Sequence, residues 1–254
     1  MTSSPDAALI MAGGRSERMR AGGSGQHKGL RTVFGMPLIE CNLRALIWFG
    51  FKRLFVAINR QEDALATWID GPGRALAESQ SATLEVLVET QPLGTIGAVA
   101  SLPGEIDDAV IVNVDNLTSL DLRELGRYHR EHAGAATIAT HDQPFPIPFG
   151  MLELSGPRVV AYREKPQLSL PISSGTYVVN RRAIDRVPAG RRFDLPALID
   201  ELLQAEETVL AYPHREPWVD VNDEAALAHA ERLFSVNGSR WPGAIPFETR
   251  RVEP

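Results

Sequence analysis

Ala8-Leu9-Ile10-Met11-Ala12-Gly13-Gly14-Arg15-Ser16-Glu17-Arg18-Met19 is an apolar run, a glycine pair and then a basic turn. The run predicts a buried strand over residues 7–12. The glycines let backbone N–H groups approach an anion, and successive N–H groups form a nest for it. Arg15, Arg18, Arg20, Lys28 and Arg31, with His27, fall within residues 15–31 against one acid, Glu17, in a chain of net charge −6. Open α/β sheets bind ligands where their strands end. Positive charge gathered there points to a polyphosphate.

Working outward, Leu38, Ile39, Leu43, Leu46 and Ile47 recur at helical spacing, and Gly50 ends that helix. A strand over 53–58 follows, so two βα units pass early in the chain and favour a parallel sheet. A helix is expected over 61–69, broken by Gly71-Pro72-Gly73, then a strand over 84–88. Gln91-Pro92-Leu93-Gly94-Thr95 reads as a turn leading into a helix that Thr95 caps. Residues 109–114 are apolar apart from Asn113, the mark of a strand buried on both faces. A helix over 121–132 and a strand over 135–140 come next. The proline-rich segment 141–149 carries no helix or strand signal. A hairpin is expected over 150–154 and 159–162 around Gly156-Pro157, then strands over 173–180 and 208–212. Helices are expected over 194–205 and 223–234, with a short strand or turn over 217–222. Past residue 236 periodicity is lost, so the organisation reads as one domain over 1–235 and a C-terminal arm or disordered tail over 236–254.

The 254 residues are 44% hydrophobic and 23% charged, ordinary globular values. The acidic balance argues against a nucleic-acid partner. Residues 43–58 are the most apolar window but hold Gly50, Lys52 and Arg53, which rules out a membrane span there. No leader is visible at the start, and a cytoplasmic protein is expected. The lone cysteine, Cys41, excludes an internal disulfide and is expected to be buried and inert. The six histidines lack a zinc spacing, and neither a Walker lysine motif nor a Gly-x-Ser-x-Gly elbow is present.

Two carboxylates stand out by their flanks. Asp115 ends the most apolar strand, and Asp220 follows Trp218-Val219 just before a helix. A hard cation such as Mg²⁺ is held by one or two carboxylates plus substrate phosphates, and each Asp is alternatively a turn or N-cap residue. Arg18 and Lys28 suit phosphate oxygens, the one as a fixed fork and the other as a mobile point charge. Glu164-Lys165 is either a surface ion pair or a grip on a sugar hydroxyl and a phosphate.

Taken together, these pieces resemble the sugar-1-phosphate nucleotidylyltransferases over about residues 7–234. Ala12-Gly13-Gly14 with Arg18 is similar to the family's nucleotide loop, and Lys28-Gly29-Leu30 to its lysine motif. Gln91 to Thr95 resembles the segment that faces the base, and Asn113-Val114-Asp115 the first metal aspartate. Phe149-Gly150, Glu164-Lys165-Pro166 and Ser174-Gly175-Thr176-Tyr177 resemble the sugar-phosphate wall, and Trp218-Val219-Asp220 the second metal aspartate. The chain departs from the pattern with His27 where the lysine motif begins with proline, and with Val114 and Asn222 where the family has glycine. The start also looks like the molybdenum-cofactor nucleotidylyltransferases, which lack a match for Glu164-Lys165-Pro166 and Trp218-Val219-Asp220.

The resemblance implies an α/β fold: a Rossmann-like, mixed but mostly parallel sheet flanked by helices, with a small β insertion on the sugar side. It implies an NTP and a sugar 1-phosphate as small-molecule partners, Mg²⁺ as cofactor, and release of pyrophosphate; a homo-oligomer is left open. Arg18 and Lys28 would be catalytic, and Ala12, Gly13, Gly14, Gln91, Gly94 and Thr95 would face the nucleotide, with a lean to guanine. Gly150, Glu164, Lys165 and Thr176 would hold the sugar phosphate, and Asp115 and Asp220 the metal. The same reaction on a cyclitol or other non-sugar phosphate, and a non-catalytic regulatory subunit, are the alternatives.

Overall fold

The computed structural model describes residues 5–14 and 26–236. In chain order the elements are β1 (Ala7–Ala12), β2 (Thr32–Val33), β3 (Met36–Pro37), α1 (Leu38–Trp48), β4 (Arg53–Asn59), α2 (Asp63–Trp68), α3 (Arg74–Ser79) and β5 (Thr83–Glu89). There follow β6 (Asp108–Asn113), β7 (Asn116–Thr118), α4 (Leu122–Glu131), β8 (Ala136–Pro146), β9 (Met151–Ser155), β10 (Arg158–Arg163) and β11 (Gln167–Asn180). The last are α5 (Arg181–Ile184), α6 (Leu195–Gln204), β12 (Val209–His214), β13 (Trp218–Asp220) and α7 (Glu224–Val236).

Seven strands form the main sheet in the order β12-β8-β11-β6-β1-β4-β5. The pairs β1/β4, β1/β6, β4/β5 and β8/β12 are parallel, and β11 runs antiparallel to both its neighbours. This is the mostly parallel mixed sheet that the resemblance implies. The chain winds from β1 outward to β4 and β5, then returns to lay β6 on the other side of β1. The crevice between the ends of β1 and β6 is therefore a topological switch point, where such sheets bind ligands.

All six residues of β1 are buried, because helices cover both faces. Ala8, Ile10 and Ala12 pack with α1 and α4 residues such as Leu43 and Leu125. Ala7, Leu9 and Met11 pack on the opposite face with Val99 and the α6 residues Leu198 and Leu202. Burying a Leu or Ile side chain contributes roughly 1.5–3 kcal/mol, so this strand is an anchor of the fold. A smaller cluster unites α7 with α1 and β13 through Leu227, Leu38, Cys41 and Val219. Cys41 is buried as expected, and burial pushes its thiol up to about 12.

Several expectations need correction. Segment 141–149 is not a loop: β8 continues to Pro146 and pairs with the first half of β11, which starts at Gln167 and not at 173. Its prolines are tolerated because β12 pairs only through His141, leaving the outer edge of the extension without a ladder. The hairpin β9/β10 forms as expected at the end of this arm. Gly71-Pro72-Gly73 does not break its helix either, since a π turn over Ile69–Gly73 carries α2 into α3. Gly73 is needed small there, with Trp68 and Leu84 each 3.2 Å from where a Cβ would sit. After Thr95 only one 3-10 stretch, Gly97–Ser101, forms, and Thr95 does not cap it. The tail expected over 236–254 lies, past residue 236, outside the described residues.

Candidate active site

β6 ends at Asn113, and Val114 N–H donates to the Met11 carbonyl at 3.1 Å, which holds Asp115 beside the end of β1. Asp220 arrives on β13, which pairs antiparallel with β7 so that Asp220 faces Asn116. The ribbon lies beyond the end of the main sheet and places the two carboxylates side by side. Asp115 is 8% exposed. Burial, and then the charge of Asp115, hold the Asp220 carboxyl above the usual range, against the pull of Asn222 and Lys28. Asn222 Nδ2 donates to Asp220 Oδ2 at 2.7 Å. Lys28 Nζ donates to Asp115 Oδ2 at 2.5 Å. The sequence-predicted lysine and both aspartates therefore converge at the switch point. Arg18 lies outside the described residues. Arg31 is turned away, paired with Glu224 on α7.

Asn42 was invisible to the sequence reading: a polar residue inside a helix, 7% exposed, whose Nδ2 donates to the Leu38 and Val114 carbonyls. It ties α1 to the residue before Asp115. Its only sequence signal was an amide on the apolar face of an amphipathic helix.

Gly13 and Gly14 line a cavity of about 560 Å³ with Pro92, Gly94, Thr95, Arg192 and Asp194. Beneath Gly13 lies the Glu89 carboxyl: a Cβ on Gly13 would stand 2.2 Å from Glu89 Oε1, so a larger residue there would have to displace that carboxyl. Glu89 Oε2 accepts the Leu93 N–H at 3.1 Å. Oε1 is buried with no hydrogen-bond partner among the described residues, and burial raises this carboxyl. Gly94 has φ +83°, and a Cβ there would meet Asp194 Oδ1 and Phe193 O at 2.6 Å. Thr95 N–H donates to Asp194 Oδ1 at 2.9 Å, and Leu195 N–H donates to Thr95 Oγ1 at 2.8 Å. Thr95 thus caps α6, a hundred residues away in sequence, which no local pattern reveals. Gln91 Nε2 donates to the Gly190 carbonyl at 2.6 Å. Arg192 and Asp194 were not singled out in the sequence.

On the third side, the ladder between β8 and β11 slips at Ser173–Tyr177. The bulge brings Gly175 to within Cβ reach, 3.2 Å, of Asn113 Nδ2. Thr176 is fully buried, and its Oγ1 accepts from Asn116 Nδ2 at 2.9 Å. Ser174 is a junction: its carbonyl accepts Trp218 Nε1–H at 2.7 Å, and its hydroxyl joins His214 Nε2 at 3.0 Å and the Ala139 carbonyl at 3.1 Å. Burial raises the Tyr177 hydroxyl, and the charges of Asp115 and Asp220 add to this. Gly150, Glu164 and Lys165 lie on the arm. Gly150 packs on the Tyr162 hydroxyl, which donates to Glu164 Oε2 at 2.6 Å. Lys165 has φ +43°.

Two neighbouring carboxylates, Asp115 buried and Asp220 exposed, suit a hard divalent cation, since the cation relieves the repulsion that adds to the raising of Asp220. Among the described residues no cluster of three or more His, Cys, Asp or Glu side chains forms, so substrate oxygens would complete such a coordination shell. No helix of the described residues is long and apolar enough to cross a membrane.

A family profile described as "Nucleotidyl transferase" matches residues 7–235. The mannose-1-phosphate guanylyltransferase of Mycobacterium tuberculosis is 27% identical over 221 residues, 84% of this chain and 60% of that protein. Mannose-1-phosphate guanylyltransferase 1 of Arabidopsis thaliana is 28% identical over 193 residues, 71% of this chain and 51% of that protein. The chain thus spans between about half and three fifths of these relatives' length. Among solved structures, HddC from Yersinia pseudotuberculosis superposes with a TM-score of 0.67 at 19% identity, covering 90% of this chain and 99% of that one. The same protein complexed with GMP-PN gives 0.66 at 18% identity. Likeness at that level is likeness of fold.

Proposed function

Because the chain belongs to the nucleotidyl transferase family, we propose that it joins a nucleoside triphosphate to a sugar 1-phosphate, giving a nucleotide sugar and pyrophosphate. The observation that carries this reading is the convergence of Asp115, Asp220 and Lys28 at the end of β6, one strand away from the glycine pair that ends β1. A phosphate oxygen of the sugar 1-phosphate attacks the α-phosphorus, the bond to the β-phosphate oxygen breaks, and pyrophosphate leaves with that electron pair. Such a reaction needs position and charge more than covalent help from the protein.

Gly13 and Gly14 offer backbone N–H groups to the triphosphate, and the Pro92–Thr95 turn walls the base side of the same cavity. The Lys28 ammonium, already beside Asp115, stabilises charge on the triphosphate and the departing pyrophosphate, with Arg18 assigned the same role. Asp115 and Asp220 would hold Mg²⁺, which supplies neutralising charge to the phosphate oxygens. Glu164 and Lys165 are assigned to a sugar hydroxyl and the sugar phosphate, with Gly150 and Thr176 beside them. The two guanylyltransferase relatives support GTP and a mannose-type hexose 1-phosphate as the first pair to test.

The test is pyrophosphate release with Mg²⁺ across five NTPs and a panel of hexose, heptose and cyclitol phosphates. Release with one pair, lost in Asp115→Asn, is expected. Tight binding of a nucleotide sugar with no release from any pair would instead identify a regulatory subunit.

A further inference from the structure

Two of the chain's departures from the family's motifs, His27 for proline and Val114 for glycine, close on one residue. A Cβ on Gly29 would stand 3.0 Å from Val114 Cγ2 and 3.1 Å from His27 Nδ1. His27 is 2% exposed, and both ring nitrogens are engaged. Nδ1 accepts the Gly29 N–H at 3.0 Å, and Nε2 lies 3.0 Å from the Ala12 carbonyl. A ring nitrogen that accepts an N–H carries no proton, so in the neutral imidazole Nε2 holds the hydrogen and donates it to Ala12. The two contacts dictate the tautomer.

The imidazole is therefore a strut from the end of β1 to the one-turn helix Lys28–Leu30, whose N-cap it forms. Val114 is the wall on the other side of that turn. Its own backbone is pinned, with N–H to Met11 and carbonyl to Asn42 Nδ2. Between strut and wall, Lys28 reaches Asp115 at 2.5 Å. Proline at 27 could make neither side-chain hydrogen bond, and glycine at 114 would offer no wall.

We propose that His27 is a positioning residue for Lys28, clamping the lysine turn between Ala12 and Val114 so that the ammonium is aimed before substrate binds. The proposal rests on the phosphate role given above to Lys28. Lysine is a flexible four-carbon stem, and charge that is already in place costs no reorganisation during reaction. Loosening the turn therefore acts on the chemical step more than on substrate capture.

The experiment compares His27→Ala, His27→Asn, Val114→Ala and the His27→Ala/Val114→Ala double variant, each checked by thermal melting. In His27→Ala, kcat for pyrophosphate release is expected to fall at least about tenfold, with KM for the NTP moving less than about threefold. Asparagine at an N-cap can still accept the Gly29 N–H, so His27→Asn recovers part of kcat. The double variant departs from the product of the single effects by more than about twofold, as residues that share a contact do. Imidazole ¹⁵N spectra of the wild-type protein show the Nε2–H tautomer. Wild-type kcat in His27→Ala, equal losses in the Ala and Asn variants, purely multiplicative effects or an Nδ1–H tautomer each overturn the proposal. If the wild-type protein releases no pyrophosphate from any pair, the reaction assignment fails. The tautomer, with exchange protection of the Gly29 amide lost in His27→Ala, then decides the strut alone. If His27→Ala does not fold, His27→Asn and Val114→Ala carry the kinetic comparison.

Discussion

The main-chain N–H of Val221 donates to the main-chain carbonyl of Asp115 at 2.8 Å, so the residue following one site carboxylate is bonded to the residue bearing the other. With Asp220 also registered opposite Asn116, the carboxylates cannot part without breaking the ribbon between β7 and β13. Their repulsion is held in place by backbone hydrogen bonds and is available to a cation.

Asp115→Asn tests that arrangement. It removes one charge from the pair and the partner of Lys28, while the backbone bonds that shape the ribbon stay. Turnover is expected to fall about a thousandfold or more, a loss of roughly 4 kcal/mol from the barrier term. The melting midpoint should move by only a few degrees, about 1 kcal/mol. A variant that turns over at the wild-type rate would remove Asp115 from the metal assignment.

Lys165→Ala tests the arm. A cation serving the sugar phosphate is worth about 1.5–3 kcal/mol as a charge-assisted hydrogen bond, so the apparent affinity for sugar 1-phosphate should drop by at least about tenfold. Nucleotide affinity should hold. Titrations showing equal losses for both ligands would refute the division of labour between arm and glycine loop.

Gly94 and Thr95 make a structural pair with different magnitudes. Gly94→Ala forces a side chain onto φ +83° and into Asp194 and Phe193, which should cost about 2–4 kcal/mol by combined strain and overpacking. Thr95→Val keeps the shape but removes the hydroxyl that accepts Leu195 N–H, and a lost cap costs about 1 kcal/mol. Urea midpoints should rank the two variants in that order.

His214 predicts a pH dependence with a definite sign. Burial, with His141 adding to it, holds its imidazole down at about 4, against an ordinary 6.5. Above pH 6.5 the ring is neutral both folded and unfolded, and its contribution is fully present. As pH falls towards 4, the unfolded chain takes up a proton that the folded chain refuses, so stability drops. Asp220 and Glu89, whose carboxyls are raised, act with the opposite sign. Comparing His214→Gln with wild type isolates the histidine: its urea midpoint should fall less steeply between pH 6.5 and 4.

The first strand, the buried run ending at Asp115, the amphipathic α1 and the β9/β10 hairpin were legible because burial and periodicity are written locally. The same locality explains the errors. A proline-rich segment reads as a loop until its partner strand, residues 167–173, is known to lie alongside it. Gly71-Pro72-Gly73 reads as a break until packing on Trp68 and Leu84 favours a π turn. Asn42, Glu89 and Asp194 carry no pattern of their own, since each acquires its role from a backbone group brought to it by the fold.

Alternating apolar runs and glycine turns therefore determined an α/β sheet, and marked both aspartates and the lysine. Only the tertiary structure decided that Asp220 lies beside Asp115, that Thr95 caps α6, and that His27 and Val114 meet across Gly29. Strand and helix signals arise from each residue's own burial and backbone preference and survive in one dimension. Pairings across long loops exist only once the sheet has set which ends of which strands are neighbours.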